Sequence, residues 1–413
     1  MTSPALQALA NSFPNEQLLL AGTDEFIKLN KSYLSCLESD LTPAAIFVPN
    51  NVDDVAKFVG VIAPFSIDGD MPFAIRGAGQ QPLTGCANIQ TGVTLDLRKL
   101  DTVEIKDGVA RIGAGARWGA VYDKVQAQGL GITGSRSALG GIGGLALAGG
   151  LSFFSSREGF ICDNVVDFEV VLASGKVVNA NINENTDLWR ALRGAQRHAL
   201  HEPALRHWDN RAIPGAGPFS AISPQIDQLN SMRVLTLKEA AAEQAQQSAD
   251  DIRCAYMNTT VKADVETLQL AADEYTSVLE SIKSVEGITC SFTLQPYPVS
   301  LMEKSKALGG NVLGLDASQG PLVSVLALTW WKSKDDDEKI LSTFKGVLDK
   351  VDQIAAEKGT AVPFKYLNYA WSSQEPIKSY GEGNVNFLKR VSKEYDPSGL
   401  FQKGVPGGFK LFK

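Results

Sequence analysis

The alternation of apolar and polar positions changes character along the chain. Residues 1–40 are polar, with apolar positions spaced for one helical face at 7–12 and 26–37, and predict a mostly helical lead-in. Short apolar runs follow at 44–48 (closed by Pro49), 73–76 and 93–97, each predicting a strand. Asn50, Asn51, Asp53 and Asp54 precede an apolar-periodic stretch running to Ile62; their side chains can accept from the first free N–H groups of a helix. Runs at 103–105 and 109–112 flank Lys106-Asp107-Gly108, and runs at 168–172 and 176–180 flank Ala173-Ser174-Gly175. Both predict hairpins. Helical spacing at 116–128 and 185–193 completes an α+β pattern without the regular alternation of a βαβ array.

From about residue 229 the segments lengthen. Helical patterns cover 235–250 and 261–286, strands 287–294 and 322–330, and an amphipathic helix 335–358, predicting a second α+β domain with helices on one face of a sheet. The tail from Tyr366 is mixed and punctuated by glycine. The expected division is a lead-in over 1–40, a first domain over 41–215, a second over 216–365, and a C-terminal element over 366–413.

One stretch fits neither texture. Residues 129–166 hold ten glycines and, until Arg157, a single charged residue, Arg136. A surface linker would mix glycine with serine, proline and charge. Here glycine alternates with Leu, Ile, Ala and Phe, which predicts a buried loop whose bare backbone lies against something flat: a nucleotide cofactor, or another stretch of backbone.

At 413 residues the chain exceeds one ordinary core, and its 44% hydrophobic and 21% charged residues are those of a globular protein. A formal charge of −7 argues against nucleic acid or an anionic membrane as the main partner. No apolar run approaches a spanning helix, and the N-terminus carries no basic leader, so a cytoplasmic protein is expected. Five scattered cysteines without a CxxC pair predict reduced thiols rather than a disulfide framework or zinc site.

Gly141-Ile142-Gly143-Gly144-Leu145-Ala146 matches the G-x-G-x-x-A dinucleotide fingerprint. Its context does not: the fingerprint follows an apolar strand, whereas residues 133–138 are polar and turn-like. Two loops read together fit better. The strand at 73–75 delivers Arg76-Gly77-Ala78-Gly79-Gln80, and residues 136–150 supply a second bare wall, with Gly113-Ala114-Gly115-Ala116-Arg117-Trp118 between them. Successive N–H groups in such turns form a nest suited to a pyrophosphate.

At this point the chain resembles a known family, the FAD-linked oxidases with a PCMH-type (vanillyl-alcohol-oxidase-type) flavin domain, in particular the fungal berberine-bridge-enzyme-like oxidoreductases. The matching motifs are TPAAIFVP (42–49), AIRGAGQQPLTGCANI (74–89), GVTLDLRKL (92–100), GAGARWGAVY (113–122), CDNVVDFEVVLASG (162–175) and NENTDLWRALRG (183–194). At the far end, YLNYA (366–370) and VSKEYDPSGLFQKGVPGGFKL (391–411) look like the family's C-terminal element. Their order and spacing agree over 42–194 and the last fifty or so residues.

The resemblance implies a two-subdomain α+β flavin domain over 41–215. A substrate domain over 216–365, an antiparallel sheet covered by helices, would cover the flavin ring, and 366–413 would return to the flavin domain. It implies FAD lined by Arg76, Gly77, Ala78, Gly79, Gln80, Ser137, Gly141, Gly143 and Gly144, with Tyr366 and Asn368 facing the ring. Tyr366 is the candidate catalytic residue, through proton removal or substrate orientation, and Asn368 would bond the polar edge of the flavin. Family members oxidise small alcohols, sugars or alkaloid-type bonds by hydride transfer to flavin and then reduce O2; a small specialised metabolite is the expected substrate. The substrate pocket is expected over roughly 291–331.

Three departures bear on these expectations. Gln80 stands where the family carries the histidine that bonds to the flavin, and Ser137 where bicovalent members carry a cysteine, so FAD is expected to be held non-covalently. A lower flavin potential follows from losing the imidazole substituent. After Arg193-Gly194 the expected apolar strand is replaced by residues 195–207, which contain all three histidines of the chain, His198, His201 and His207. The spacing His198-x-x-His201-Glu202 is a weak metal signal, since Pro203 breaks the helix that would align the ligands. The segment is either divergent or an out-of-frame replacement of a core strand. Two rival functions follow: a non-redox cyclase or isomerase on the same fold, and a flavin-free pseudoenzyme whose domain this segment disrupts.

Overall fold

Backbone pairing gathers the short strands of the first half into two sheets and those of the second half into a third. The structure, a computed structural model, describes residues 3–194, 199–209, 233–246 and 251–412. The first sheet contains β1 (Leu18–Leu20), β2 (Ala45–Phe47), β3 (Phe73–Arg76) and β4 (Val93–Asp96) in the order β1-β2-β4-β3. Its pairs are parallel except β1 with β2. Helices α1 (Pro4–Ser12) and α2 (Val52–Ile67) pack together beside it. Asn51 caps α2 as its sequence predicts, accepting from the Asp54 N–H at 2.9 Å. Phe47 stacks on Phe58 at 4.9 Å between centroids, and Phe58 meets Phe73 edge-on at 5.7 Å. Strand β1 departs from the helical lead-in expected there: three consecutive leucines pair along β2 instead of forming a helix face.

The second sheet contains β5 (Val103–Lys106), β6 (Val109–Ile112), β7 (Leu130–Ile132), β8 (Val165–Val171), β9 (Val177–Asn181) and β10 (Ala199–Asp209). All its pairs are antiparallel, in the order β5-β6-β10-β8-β9, with β7 also on β10. Both predicted hairpins are present. Most of the histidine-bearing segment thus forms the central strand, and the sheet is continuous through it. The ladder carries register shifts between Leu200 and Glu202 and between Ala204 and Leu205. They flank Pro203, which has no N–H to give the ladder. The His207 ring nitrogens are buried without a partner among the described residues. His198, and the side chains of His201 and Glu202, lie outside the described residues. Helices α3 (Trp118–Gln126), α4 (Ile142–Leu147) and α5 (Thr186–Leu192) cover this half, and α6 (Leu237–Gln246) packs on α3.

The third sheet contains β11 (Arg253–Lys262), β12 (Thr289–Tyr297), β13 (Leu322–Trp331) and β14 (Ala361–Val362), all antiparallel in the order β12-β13-β11-β14. Helices α7 (Val265–Ile282) and α8 (Asp337–Glu357) pack on each other, and α8 lies on β11. The helix expected over 261–286 begins only at Val265, where Asp264 caps it by accepting from the Thr267 N–H at 2.8 Å. Ahead of it, Thr259-Thr260-Val261 are β-branched and sit in β11, a strand the periodicity did not reveal. In the tail, α9 (Glu382–Tyr395) is followed by Asp396, whose carboxylate accepts from the Leu400 and Phe401 N–H groups. The five cysteines are free. Among the described residues no helix is long and apolar enough to cross a membrane.

The halves are joined by buried polar bonds. The Asn258 side chain on β11 donates to the Tyr366 carbonyl at 3.0 Å and accepts from its N–H at 2.8 Å. Arg193, fully buried, donates to the carbonyls of Cys162 and Asp163, and Asp163 accepts from Ser305 and Asn311. Near the first sheet, the buried Glu38 carboxylate accepts from the Gly85 and Ala87 N–H groups at 2.9 and 2.8 Å.

Burial pushes the Glu38 carboxyl up from 4.5 to about 7, with the Ala87 and Gly85 N–H groups pulling the other way. A carboxyl with a raised folded value contributes stability that is full below pH 4.5 and is lost as pH rises through about 7, here by about 3 kcal/mol. Urea midpoints measured across this window should fall for the parent chain, and Glu38→Gln should flatten the profile. Identical slopes in the two proteins would mean that Glu38 titrates normally.

Candidate active site

A cavity of about 820 Å3 lies between the glycine walls of the first half and the third sheet, within the ~300–1,000 Å3 usual for small-molecule and cofactor sites. One wall is the β3 loop, with Gly77, Ala78, Gly79 and Gln80; beside it are Ser135, Arg136, Ser137, Gly140, Gly141 and Gly144. The segment between the loops joins them. The Trp118 N–H donates to the Gly140 carbonyl at 2.9 Å, and Arg117 donates to the Ala78 carbonyl at 3.2 Å.

Two of the anticipated lining residues face elsewhere. Arg76 is buried beneath the loop, its guanidinium 3.6 Å from the centre of the Tyr33 ring and 3.4 Å from Asp96. It donates to the carbonyls of Leu29 and Ser32 and is a strut under the site. Gly143 turns its bare Cα toward the Ala114 carbonyl, away from the cavity.

The opposite wall follows from strand alternation. Thr289, Ser291, Thr293 and Gln295 on β12, Leu326, Leu328 and Trp330 on β13, and Tyr256 on β11 all face the cavity. Residues of opposite parity face the helices, where Phe292 meets Tyr275 at 4.8 Å between centroids. Tyr256 packs edge-on to Trp330 at 6.3 Å, and the buried Trp330 Nε1 has no partner among the described residues. The sheet thus offers a polar row beside an apolar, aromatic one.

The C-terminal YLNYA motif closes one end. It is a 3-10 turn over Leu367–Tyr369 rather than a strand, so positions three apart eclipse and Tyr366 and Tyr369 both reach the cavity, 4.9 Å apart and edge-on. The Asn368 amide donates to the Tyr366 hydroxyl at 2.8 Å and to the Ala148 carbonyl at 3.0 Å. Burial, then the neighbouring Tyr369 and Tyr297, pushes the Tyr366 phenol well above its ordinary value, so it is protonated at neutral pH. Arg136 donates to the Tyr369 hydroxyl at 2.5 Å and to Gln295 Oε1 at 3.1 Å. Tyr369 holds this guanidinium above its ordinary value, against burial and together with Tyr366 and Tyr297.

Residues 43–181 match a family described as an FAD binding domain. The chain is 32% identical over 444 positions to the FAD-dependent monooxygenase tpcD of Cochliobolus heterostrophus, covering 89% of this chain and 85% of that protein. It is 31% identical to the FAD-dependent monooxygenase FUP4 of Fusarium proliferatum, covering 96% and 90%. The chain belongs to the FAD-linked oxidoreductases. Among solved structures, xylooligosaccharide oxidase from Myceliophthora thermophila shares the fold with a TM-score of 0.78 at 17% identity over 99% of both chains. A berberine-bridge-enzyme-like protein of Physcomitrella patens does so at 0.75 and 16% over the full length of both.

The glycines test whether this flavoprotein's cavity fits FAD. At Gly141 a Cβ would lie 2.5 Å from the Ala78 Cβ, and at Gly143 2.7 Å from the Ala114 carbonyl oxygen. Close backbone packing accounts for both. Gly144 is different: it lies inside α4, lines the cavity, and its Cβ would meet no protein atom within 4 Å. Glycine in a helix costs about 0.5–1 kcal/mol relative to alanine, and among the described residues nothing packs on this face. Bare backbone on a cavity wall is what a flat ligand needs, so the residues present fit the cofactor.

The substrate pocket expected over roughly 291–331 takes in Gln295 and Trp330, but sequence reasoning did not assign Arg136, Tyr369 or Tyr256 to the site. The signal for Arg136 was its isolation as the one charge before Arg157 in the glycine stretch. The others had none, because their placement needs the register of β11–β13 and the pitch of a 3-10 turn.

Gly144→Ala should raise the melting temperature of flavin-stripped protein, by the equivalent of about 0.5–1 kcal/mol, and weaken FAD binding in a flavin-fluorescence titration. Gly141→Ala should lower the melting temperature with or without FAD. If Gly144→Ala left FAD affinity intact, the cofactor would not lie on that backbone.

Proposed function

We propose that this FAD-linked oxidoreductase oxidises a small organic molecule of specialised metabolism by hydride transfer, with FAD held non-covalently and O2 as the final acceptor. The open face at Gly144 carries this reading, since it leaves bare helix backbone on the cavity wall for a flat ligand to lie against. When bound, FAD supplies the two-electron acceptor. In this reading residues 41–215 form the flavin domain, 216–365 the substrate domain, and 366–413 close the site.

Gly77, Ala78, Gly79, Ser137, Gly141 and Gly144 would cradle the cofactor through backbone groups. Gln80 and Ser137 both line the cavity at the positions where the resemblance puts the two covalent anchors. An amide cannot make the histidyl link and a hydroxyl cannot make the cysteinyl one. Tyr366, protonated and fixed by Asn368, orients the substrate as a donor, and its phenol is not a resident base. The third-sheet face excludes water from the reacting bond. Small molecules, rather than nucleic acid or membrane, are the partners this acidic chain and enclosed cavity suit.

The purified protein should be yellow, and acid precipitation should leave the colour in solution over a white pellet. Colour retained in the pellet would overturn the non-covalent assignment. A colourless protein that takes up no added FAD would overturn the oxidoreductase reading itself and favour a flavin-free role.

A further inference from the structure

Among the described residues lining the cavity, Arg136 is the only Asp, Glu, Lys or Arg. Its acceptors are an amide oxygen, Gln295 Oε1, and a phenol oxygen, Tyr369 Oη, and among the described residues no carboxylate pairs with it. Elsewhere in the chain the buried guanidiniums have carboxylates beside them: Arg76 has Asp96, Arg193 has Asp163, and Arg253 has Asp337. A half-buried cation without a counter-ion is costly unless a bound group supplies the charge.

Arg136 is held from the substrate side. Gln295 belongs to β12 and Tyr369 to the C-terminal turn, so the guanidinium is drawn toward the third sheet, away from the glycine walls that suit a pyrophosphate. On that side stand the rings of Tyr256 and Trp330, with Leu326 and Leu328 between the strands. Among the described residues the Trp330 Nε1 donor is unpartnered, and Thr289, Ser291 and Thr293 form a hydroxyl row on the neighbouring strand. A flat ring can pack on the apolar row while its oxygen substituents meet the polar one.

We propose that Arg136 is the specificity-determining residue of the substrate site and that it recognises an oxyanion, a phenolate or carboxylate, borne on an aromatic ring. The proposal rests on the cavity being an oxidation site, and it names the class of molecule oxidised there. Arg136 offers a planar fork of donors to such an oxygen. Tyr369 and Gln295, which already hold the fork in place, complete the ring of polar contacts. The same charge discriminates against neutral isosteres, which would leave the cation unpaired.

The test uses the flavin-loaded protein and four probes: benzoate and 4-nitrophenolate, with benzamide and 4-nitroanisole as their neutral counterparts. Binding is followed by quenching of tryptophan emission and by perturbation of the flavin spectrum. At least one anion should bind at least about tenfold tighter than its neutral counterpart. Which of the two does so separates a carboxylate from a phenolate substrate. Arg136→Met should abolish the preference while keeping the FAD content of the parent, and Arg136→Lys should retain part of it. Equal binding of charged and neutral probes by the parent, or a preference that survives in Arg136→Met, overturns the proposal. So does Arg136→Met losing FAD while the parent shows no preference, which would assign the charge to the pyrophosphate. Because tryptophan emission reports binding without flavin, a protein that holds no FAD would sink the oxidoreductase reading and leave this measurement interpretable.

Discussion

Backbone pressed on backbone is the constraint on which the site depends. The loop after β3, the 113–118 segment and the stretch around 134–144 meet with only the Ala78 methyl between them at Gly141 and with bare backbone at Gly143. That contact holds two walls close enough to form one cradle. The struts beneath it are polar and buried: Arg76 on Asp96 and Tyr33 below the first loop, and the Tyr122 hydroxyl on the Ser135 carbonyl below the second. Their hydrogen bonds replace the water lost on burial, and they leave the cavity-facing backbone bare.

The third sheet supplies what glycine cannot, a chemically varied surface. Period-two alternation places a polar row on β12 beside an apolar row on β13, while the same strands present Phe292 and Trp331 to the helices behind. One sheet thus serves a core on one face and a cavity wall on the other, separate from the glycine walls. The glycine walls are made by chain geometry, in a fold shared with proteins at 16–17% identity, whereas the opposite wall is made by side chains.

Much of this was legible in the sequence, and the gaps have physical causes. The β3 loop, the hairpins of the second sheet and the glycine wall were readable because turn chemistry and glycine are local signals. Strand β11 was missed because a β-branched run leads directly into an amphipathic helix, so the two periodicities merge near Lys262. The residues around 199–207 looked unable to form a strand, yet β10 sits at the centre of its sheet, where neighbours on both sides impose pairing and the ladder yields by register shifts at Pro203. Within the candidate site, Gly77 to Gln80, Ser137, Gly141, Gly144, Tyr366 and Asn368 line one cavity. The role of Arg76 was misjudged because a residue flanking a loop can point to either side of it, and sequence gives no sign of which.

The clamp on Tyr366 has a mechanical consequence. Asn258 grips its backbone from the third sheet, while Asn368 reaches Ala148 and Tyr380 reaches the Gly194 carbonyl on the other half of the molecule. The turn is therefore riveted to both halves. The third sheet is pinned again at the start of β11, where the Ser35 hydroxyl donates to the Cys254 carbonyl at 3.2 Å and Arg253 pairs with Asp40 at 3.0 Å. The two walls of the cavity are thus fixed to each other at two points along β11, and its width is set by the fold.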